Sequence, residues 1–432
     1  MPRHIVITVF GSLGDLHPMM ALGIELQARG HRVTLAASQV YREKILSENL
    51  GFMPLGPEFI AYERAVYDEL FDRFRGPELL VRKYLLPYVK QTADSLRPLL
   101  ENADFLLNSP TVYAGPVLAE VLKLPWASVA LQPFGYFSAY DPPVLPQLPI
   151  TEQWYHFPPV FWKVFWGLLK GVSGFWPQSV YDLRREYGLP SRGNPIFEGQ
   201  YSPYLNLALF SPLVAACQPD WPKHTQTTGF VFYDRMKEDE TTLPEPVRAF
   251  LASGEPPVVF TLGSSVVQTS TDFFETSIKA VKALGCRAIF VAGEHQPQSA
   301  LTERMLWWDA LPYSQLFPHA SVIVHQGGMG TTAQAMRAGK PMLIVPHGFD
   351  QPDNAARLKR LGVSQTIHPE HYRESTAVQA LETLLHDLAY REKADAVGQT
   401  IQQENGLVKA CDAIEQVLNK ADIHLNFAQD CK

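Results

Sequence analysis

The chain has 432 residues, 46% hydrophobic and 19% charged, with a formal net charge of −7. That length overfills one ordinary core, so two domains are expected, and the composition belongs to a globular enzyme rather than a disordered chain. No basic stripe marks a nucleic-acid partner.

Cys217, Cys286, Cys411 and Cys431 are scattered without CxxC spacing, which argues against a metal knuckle or a disulfide framework and for a reducing, cytoplasmic setting. Met1 leads straight into a strand-like run, so no secretory signal is expected.

Ile5-Val6-Ile7-Thr8-Val9-Phe10 is an unbroken apolar run, as a strand buried on both faces requires. Gly11-Ser12-Leu13-Gly14-Asp15 makes the turn after it. A helix is predicted next, with Pro18 in its first turn, Leu22 and Leu26 inward, and Gly30 as its stop. His31 to Ala37 reads as the next strand, which completes a βαβ unit and implies a parallel sheet. Further strands are expected at 103–107 and 126–130, with a helix between them.

Residues 133–177 are rich in aromatics and prolines. Within them, 157–177 (FPPVFWKVFWGLLKGVSGFWP) is broken by Lys163, Lys170 and prolines, so a membrane-spanning helix is not expected. The two lysines fall on one helical face, with Val160, Phe161, Val164, Phe165, Leu168 and Leu169 opposite. Such a helix would rest on a membrane surface or roof an apolar acceptor pocket; equally, it is a core helix with snorkelling lysines.

The segment 218–235 is a Pro/Gly/Thr-rich boundary, and the α/β pattern restarts after it. A strand is predicted at 257–262 before Gly263-Ser264-Ser265, followed by helix 271–284, strand 286–292, strand 321–325, helix 331–338 and strand 342–346. The expected organisation is a first domain at 1–217, a linker at 218–235, a second domain at 236–405 and a helical tail at 406–432. The acidic run Lys237-Glu238-Asp239-Glu240 reads as a solvated charge run, not a metal site.

The stretch 321–354, SVIVHQGGMGTTAQAMRAGKPMLIVPHGFDQPDN, carries the most chemistry. A strand ends at His325, Gly327, Gly328 and Gly330 form a tight turn, and Thr331 opens a helix. Glycines admit a ligand close to the backbone, and first-turn N–H groups at a helix N-terminus attract a diphosphate. Asp350 beside Gln351 offers acceptors and donors suited to a polyol, although Asp350 could equally cap the helix that follows.

This stretch resembles the donor-binding signature of family 1 nucleotide-sugar glycosyltransferases, and within them the sterol glucosyltransferase and rhamnolipid rhamnosyltransferase branch. GSLGDLHP resembles the matching acceptor-side motif, and LGSSVVQ the first donor-domain loop. The resemblance runs from about residue 4 to 405. It implies two Rossmann-like domains facing across a cleft (the GT-B fold), a nucleotide diphosphate-sugar donor, no metal or other cofactor, and inversion at the anomeric carbon. His325, Gly327, Gly328, Gly330 and Thr331 would then hold the phosphates, with Gly263, Ser264 and Ser265 beside them. Asp350 and Gln351 would hold the sugar, and Asn354 belongs to the same donor-binding motif. The final helices, near 406–420, would cross back onto the first domain.

The sequence departs from many relatives at three places. A nucleobase-stacking Trp-Ala-Pro-Gln becomes Ala310-Leu311-Pro312-Tyr313, so Tyr313 stands in the donor region and the base stays open between uridine and deoxythymidine. A ribose-binding glutamate becomes Ala333. A catalytic histidine becomes Leu13, on the acceptor side. An inverting transfer needs a base, and Asp15 is the leading candidate, with His17 as the alternative.

The expected activity is transfer of a hexose from a UDP- or dTDP-sugar to a hydroxyl of a hydrophobic small molecule or lipid. Phe134, Phe137, Phe161 and Phe165 are expected to line the acceptor pocket, and a peripheral membrane contact is expected from 157–177. The alternatives are a non-catalytic sugar-nucleotide binder and a Rossmann oxidoreductase. Against the latter, the first turn lacks GxGxxG and no acid ends the second strand.

Overall fold

The computed structural model describes residues 2–56, 66, 69–72, 74–234, 242–263, 271–293 and 297–429, with no side chains beyond Lys420. Seven parallel strands form the first sheet: β1 (His4–Thr8), β2 (Arg32–Ala37), β3 (Gly51–Pro54), β4 (Phe105–Asn108), β5 (Trp126–Ala130), β6 (Leu205–Ala208) and β7 (Thr225–Thr227). Their order is β3-β2-β1-β4-β5-β6-β7. Six more strands form the second sheet: β8 (Val258–Thr261), β9 (Ala288–Val291), β10 (Met305–Trp308), β11 (Val322–His325), β12 (Met342–Ile344) and β13 (Ser364–Thr366), in the order β10-β9-β8-β11-β12-β13.

In each sheet the first strand is central, so its two neighbours lead the chain in opposite directions. Ile5 lies opposite both Val33 and Phe105, and Phe260 opposite both Phe290 and Val324. A crevice opens at the carboxyl ends of the strands at such a switch point. The loops after β1 and β11 therefore converge there.

The helix after β1, α1, spans Leu13–Ala28 and is capped by Ser12. Its start is earlier than predicted, so Pro18 lies in the second turn, where the ring removes the donor to the Gly14 carbonyl. The segment expected to be pure linker contains β7, which pairs with β6 and completes the first sheet.

The predicted 157–177 helix is α2, Pro159–Val172. Its orientation differs from expectation. Trp162 and Trp166 are buried, whereas Val160, Val164 and Leu168 are exposed. The two largest rings claim the inward side, because they bury the most apolar area per residue. No helix among the described residues is long and apolar enough to cross a membrane.

The last helix, α3 (Gly406–Gln429), returns to the first sheet. Ala410, Cys411, Ile414 and Leu418 join the core around β1, and the Arg29 Nη1 group donates to Asp412 at 2.6 Å and to Glu415 at 2.7 Å.

A buried ion cluster ties the halves together near the cleft. Arg357 donates from Nε to Asp353 Oδ2 at 2.9 Å and from Nη1 to Asp141 of the first half. The Val144 N–H donates to the other Asp353 oxygen at 3.0 Å.

Candidate active site

Asp15 is the third residue of α1, and its carboxylate closes a capping box: the Ser12 N–H donates to Asp15 Oδ2 at 2.8 Å. The carboxylate folds over Gly11, where a Cβ would stand 2.2 Å from Asp15 Oδ2 and φ is +146°. Only glycine fits there. The Tyr41 hydroxyl donates to the Gly11 carbonyl at 3.0 Å and steadies the turn. Burial raises the Asp15 pKa to about 6, against the lowering effect of the Ser12 hydrogen bonds.

In the second half the loop after β11 enters α4, Met329–Arg337. Gly328 is its N-cap and supplies no side-chain bond, and the first turn holds no acid. The N–H groups of Met329, Gly330 and Thr331 therefore lack intrahelical partners. Gly327 needs its φ of +89°, and a Cβ there would stand 2.8 Å from Ile344 Cγ2.

His325 is fully buried, and burial lowers its pKa to about 3, so it is neutral. Its Nδ1 accepts from the Gly327 N–H at 3.0 Å, which puts the proton on Nε2. That Nε2, Gln326 Oε1, Thr332 Oγ1 and Asn354 Oδ1 are buried without a partner among the described residues.

The next helix, α5, spans Gln351–Leu361, with Asp350 at its N-cap position but making no side-chain cap bond. Asn354 donates from Nδ2 to Asp350 Oδ2 at 2.7 Å and to the Gly327 carbonyl at 2.9 Å. It thus braces the glycine loop against Asp350. Gln351 Oε1 accepts from the His347 and Gly348 N–H groups at 2.7 and 3.2 Å. Burial first, then the charges of Asp15 and Asp353, raises the Asp350 pKa to about 7.

One cavity of about 330 Å³ gathers these groups. Asp15 and Ser12 from the first half line it together with Gly328, Gly330, Thr331, Asp350 and Gln351 from the second. A larger cavity of about 380 Å³, behind Gly348, contains neither Asp15 nor the glycine loop.

The apolar wall of the first cavity includes Phe10, Tyr41, Leu80, Leu131 and Phe349, none of them anticipated. Phe349 holds a φ of +53° and packs edge-on against Phe71 at 5.3 Å. A bulky residue in that region is strained, which sequence alone does not announce.

Several expected residues lie elsewhere. His17 is outside the cavity, its ring stacked on Tyr233 at 4.9 Å and its pKa lowered to about 4 by burial and by Lys44. Leu13 packs into the core around β1. Phe134, Phe137, Phe161 and Phe165 form a separate aromatic cluster around Trp162 and Trp166 and do not reach the cavity. Their rings had enough apolar neighbours to bury each other. Tyr313 is turned away, its hydroxyl bonded to Thr261 at 2.6 Å and its ring stacked on Phe317. Gly263 abuts Gln326 and Thr331; Ser264, Ser265 and the 237–240 run lie outside the described residues. Among the described residues no three His, Cys, Asp or Glu gather as a metal site requires.

Two glycine substitutions separate structural from ligand-facing roles. Gly327→Ala is expected to destabilise the fold by about 1–3 kcal/mol, through strained φ and the Ile344 contact. Gly330→Ala, whose methyl meets nothing within 4 Å, should hold or raise the melting temperature, yet weaken nucleotide binding by intruding on the cavity. Thermal melting and nucleotide titration of both variants check this.

The chain matches the model of the glycosyltransferase family 28 N-terminal domain over residues 5–133. It also matches that of the erythromycin biosynthesis protein CIII-like C-terminal domain over residues 287–406. An O-mycaminosyltylonolide 6-deoxyallosyltransferase of Streptomyces fradiae is 30% identical, with 95% of this chain and 97% of that protein aligned. A sterol 3-beta-glucosyltransferase of Yarrowia lipolytica is 28% identical over 96% of this chain, which spans only 29% of that longer protein. Among solved structures, a calicheamicin glycosyltransferase superposes with a TM-score of 0.72 at 18% identity, over 97% of this chain and 98% of that one. With two switch-point sheets, a glycine loop facing Asp15 across the cleft, and a relative of this identity aligned almost end to end, the chain belongs to the family 1-type glycosyltransferases of GT-B fold.

Proposed function

We propose that the chain is a metal-independent, inverting hexosyltransferase that moves a sugar from a UDP- or dTDP-sugar to a hydroxyl of an apolar small-molecule or lipid acceptor. The observation that carries this reading is the single cavity where Asp15 of one half meets the glycine loop, Asp350 and Gln351 of the other.

In this reading Asp15 takes the acceptor's hydroxyl proton as that oxygen attacks the anomeric carbon. The bond to the diphosphate breaks, and its electron pair leaves on the phosphate oxygen. The first-turn N–H groups of α4 receive that charge, so the helix terminus does the work that a cation does in other transferases. A single displacement inverts the carbon. His325 stays neutral and shapes the loop through Nδ1. Asp350 and the Gln351 amide bind sugar hydroxyls, and Asn354 positions Asp350.

Phe10, Tyr41, Leu131 and Phe349 suit an apolar acceptor, as do the sterols named for several relatives. Both donor bases occur among similar proteins: one relative in Dictyostelium discoideum is described as UDP-sugar-dependent, and a spinosyn rhamnosyltransferase of this fold is solved with thymidine diphosphate.

Thermal melting with UDP and with dTDP, both in EDTA, tests the donor site. One of them at about a hundred times its Kd should stabilise the protein by about 2.7 kcal/mol. No shift with either nucleotide would remove the basis of the reading.

A further inference from the structure

We infer that the outer face of α2 is a docking surface for an anionic lipid bilayer. Val160, Val164, Leu168, Val172 and Phe175 are 65%, 60%, 64%, 68% and 67% exposed. They follow one another at near-helical spacing through α2 and the turn beyond it, so they form one continuous row. Gly167 and Gly171 lie in the same row, and a Cβ on either would meet nothing within 4 Å. The helix contains no Asp or Glu. Single exposed apolar residues are ordinary, but a charge-free row of this length on a water-facing helix calls for a partner.

Charge identifies the partner. Lys163 and Lys170 are the only charged residues of α2, and both lie along one edge of the row; Lys170 is paired with Glu198, so the net positive charge of that edge comes from Lys163. Lys163 sits 5.2 Å from the centre of the Tyr140 ring, itself 43% exposed, which adds an amphipathic ring to that border. The chain as a whole carries −7, so Lys163 is a local positive charge beside the row against an acidic background. An apolar row bordered by lysines and by rings at both ends, Phe157 and Phe175, is how a helix lies in the plane of an anionic membrane surface.

The position fits the site beside it. Trp166 packs edge-on to Phe137 at 5.5 Å. Phe137 ends the short turn that follows Leu131 and Gln132 in the cavity wall. A helix resting on a bilayer would hold the cavity near the store of apolar hydroxylated molecules that a membrane contains. The inference does not depend on the transferase reading, because its test reads binding.

The test is co-sedimentation of the full chain with vesicles of phosphatidylcholine alone and of phosphatidylcholine with phosphatidylglycerol, at low and high salt. Binding is expected to the anionic vesicles and to weaken with salt. The double substitution Val164→Glu, Leu168→Glu should reduce it by about tenfold or more, and Lys163→Glu should reduce it as well. Melting temperature and the nucleotide-induced shift should stay unchanged, since these side chains point outward. Equal binding to neutral vesicles, absence of binding to either, or undiminished binding of the double variant would overturn the inference. A dimer that dissociates in the double variant would also overturn it and give the face to a second copy of the chain.

Discussion

Asp15→Asn is expected to lower transfer by about 10²–10⁴-fold, leave nucleotide binding intact, and raise thermal stability above pH 7. The first effect follows from removing the one carboxylate of the first half that, among the described residues, lines the cavity. The second follows from distance in the chain: the anion site proposed above belongs to α4 and its loop. The third follows from the raised pKa.

Folding shifts Asp15 from its ordinary value of 3.8 to about 6, so the folded state favours the protonated form. The ionised carboxylate therefore costs stability, and the cost develops as pH rises from about 4 to about 6. Two units correspond to roughly 3 kcal/mol at most. An asparagine keeps the acceptor for the Ser12 N–H and removes the charge.

The same shift sets the acid limb of the wild-type profile. Transfer should fall as pH drops through about 6, well above an ordinary carboxylate. Asp350, raised to about 7, should steepen that limb, and Asp350→Asn should return it to the slope of one group. A wild-type limb centred near pH 4 would contradict the assignment.

Arg357→Met should be the most destabilising of the substitutions considered, by about 3–5 kcal/mol. Asp353 is fully buried and Asp141 nearly so. Without the guanidinium both buried carboxyl groups would lose their ion-pair partner and be left with neutral donors such as the Val144 N–H. The ion cluster also spans the halves, joining the Asp141–Val144 loop to the helix that begins at Gln351. Its loss should therefore lower the melting temperature by several degrees and reduce transfer more than nucleotide binding. Arg357→Met combined with Asp141→Asn and Asp353→Asn should recover part of the stability, because no unpaired buried charge remains. Melting curves of the single and triple variants check this, and an unchanged melting temperature in the single variant would contradict it.

The sequence was most legible where chemistry and local geometry coincide. The glycine turn between β11 and α4 and the Asp350–Gln351 step are contiguous, and their glycines mark backbone conformations that other residues resist. The alternation of strands and helices made the two sheets legible too, although β3, β6, β7, β10 and β13, which lie at or next to the sheet edges, were not anticipated.

The apolar wall of the cavity was not legible. Phe10, Tyr41, Leu80, Leu131 and Phe349 come from five separate loops or helices and share no pattern before the fold brings them together. The aromatic 133–177 segment misled for a related reason. A helix apolar on nearly every side has no unique inward face in sequence, and in the structure Trp162 and Trp166 decide it. His17 lies only two residues from Asp15, but on a helix that spacing turns it away from the cavity and onto Tyr233.

The most direct test of the central claim is nucleotide diphosphate release from UDP-glucose, UDP-galactose, UDP-GlcNAc and dTDP-rhamnose. It would be measured in EDTA, with and without a panel of apolar alcohols, for the wild type and for Asp15→Asn. The account predicts release with one donor that requires an acceptor, yields a glycosylated product, survives EDTA and collapses in the variant. Release that stops in EDTA, or that Asp15→Asn leaves unchanged, would contradict it.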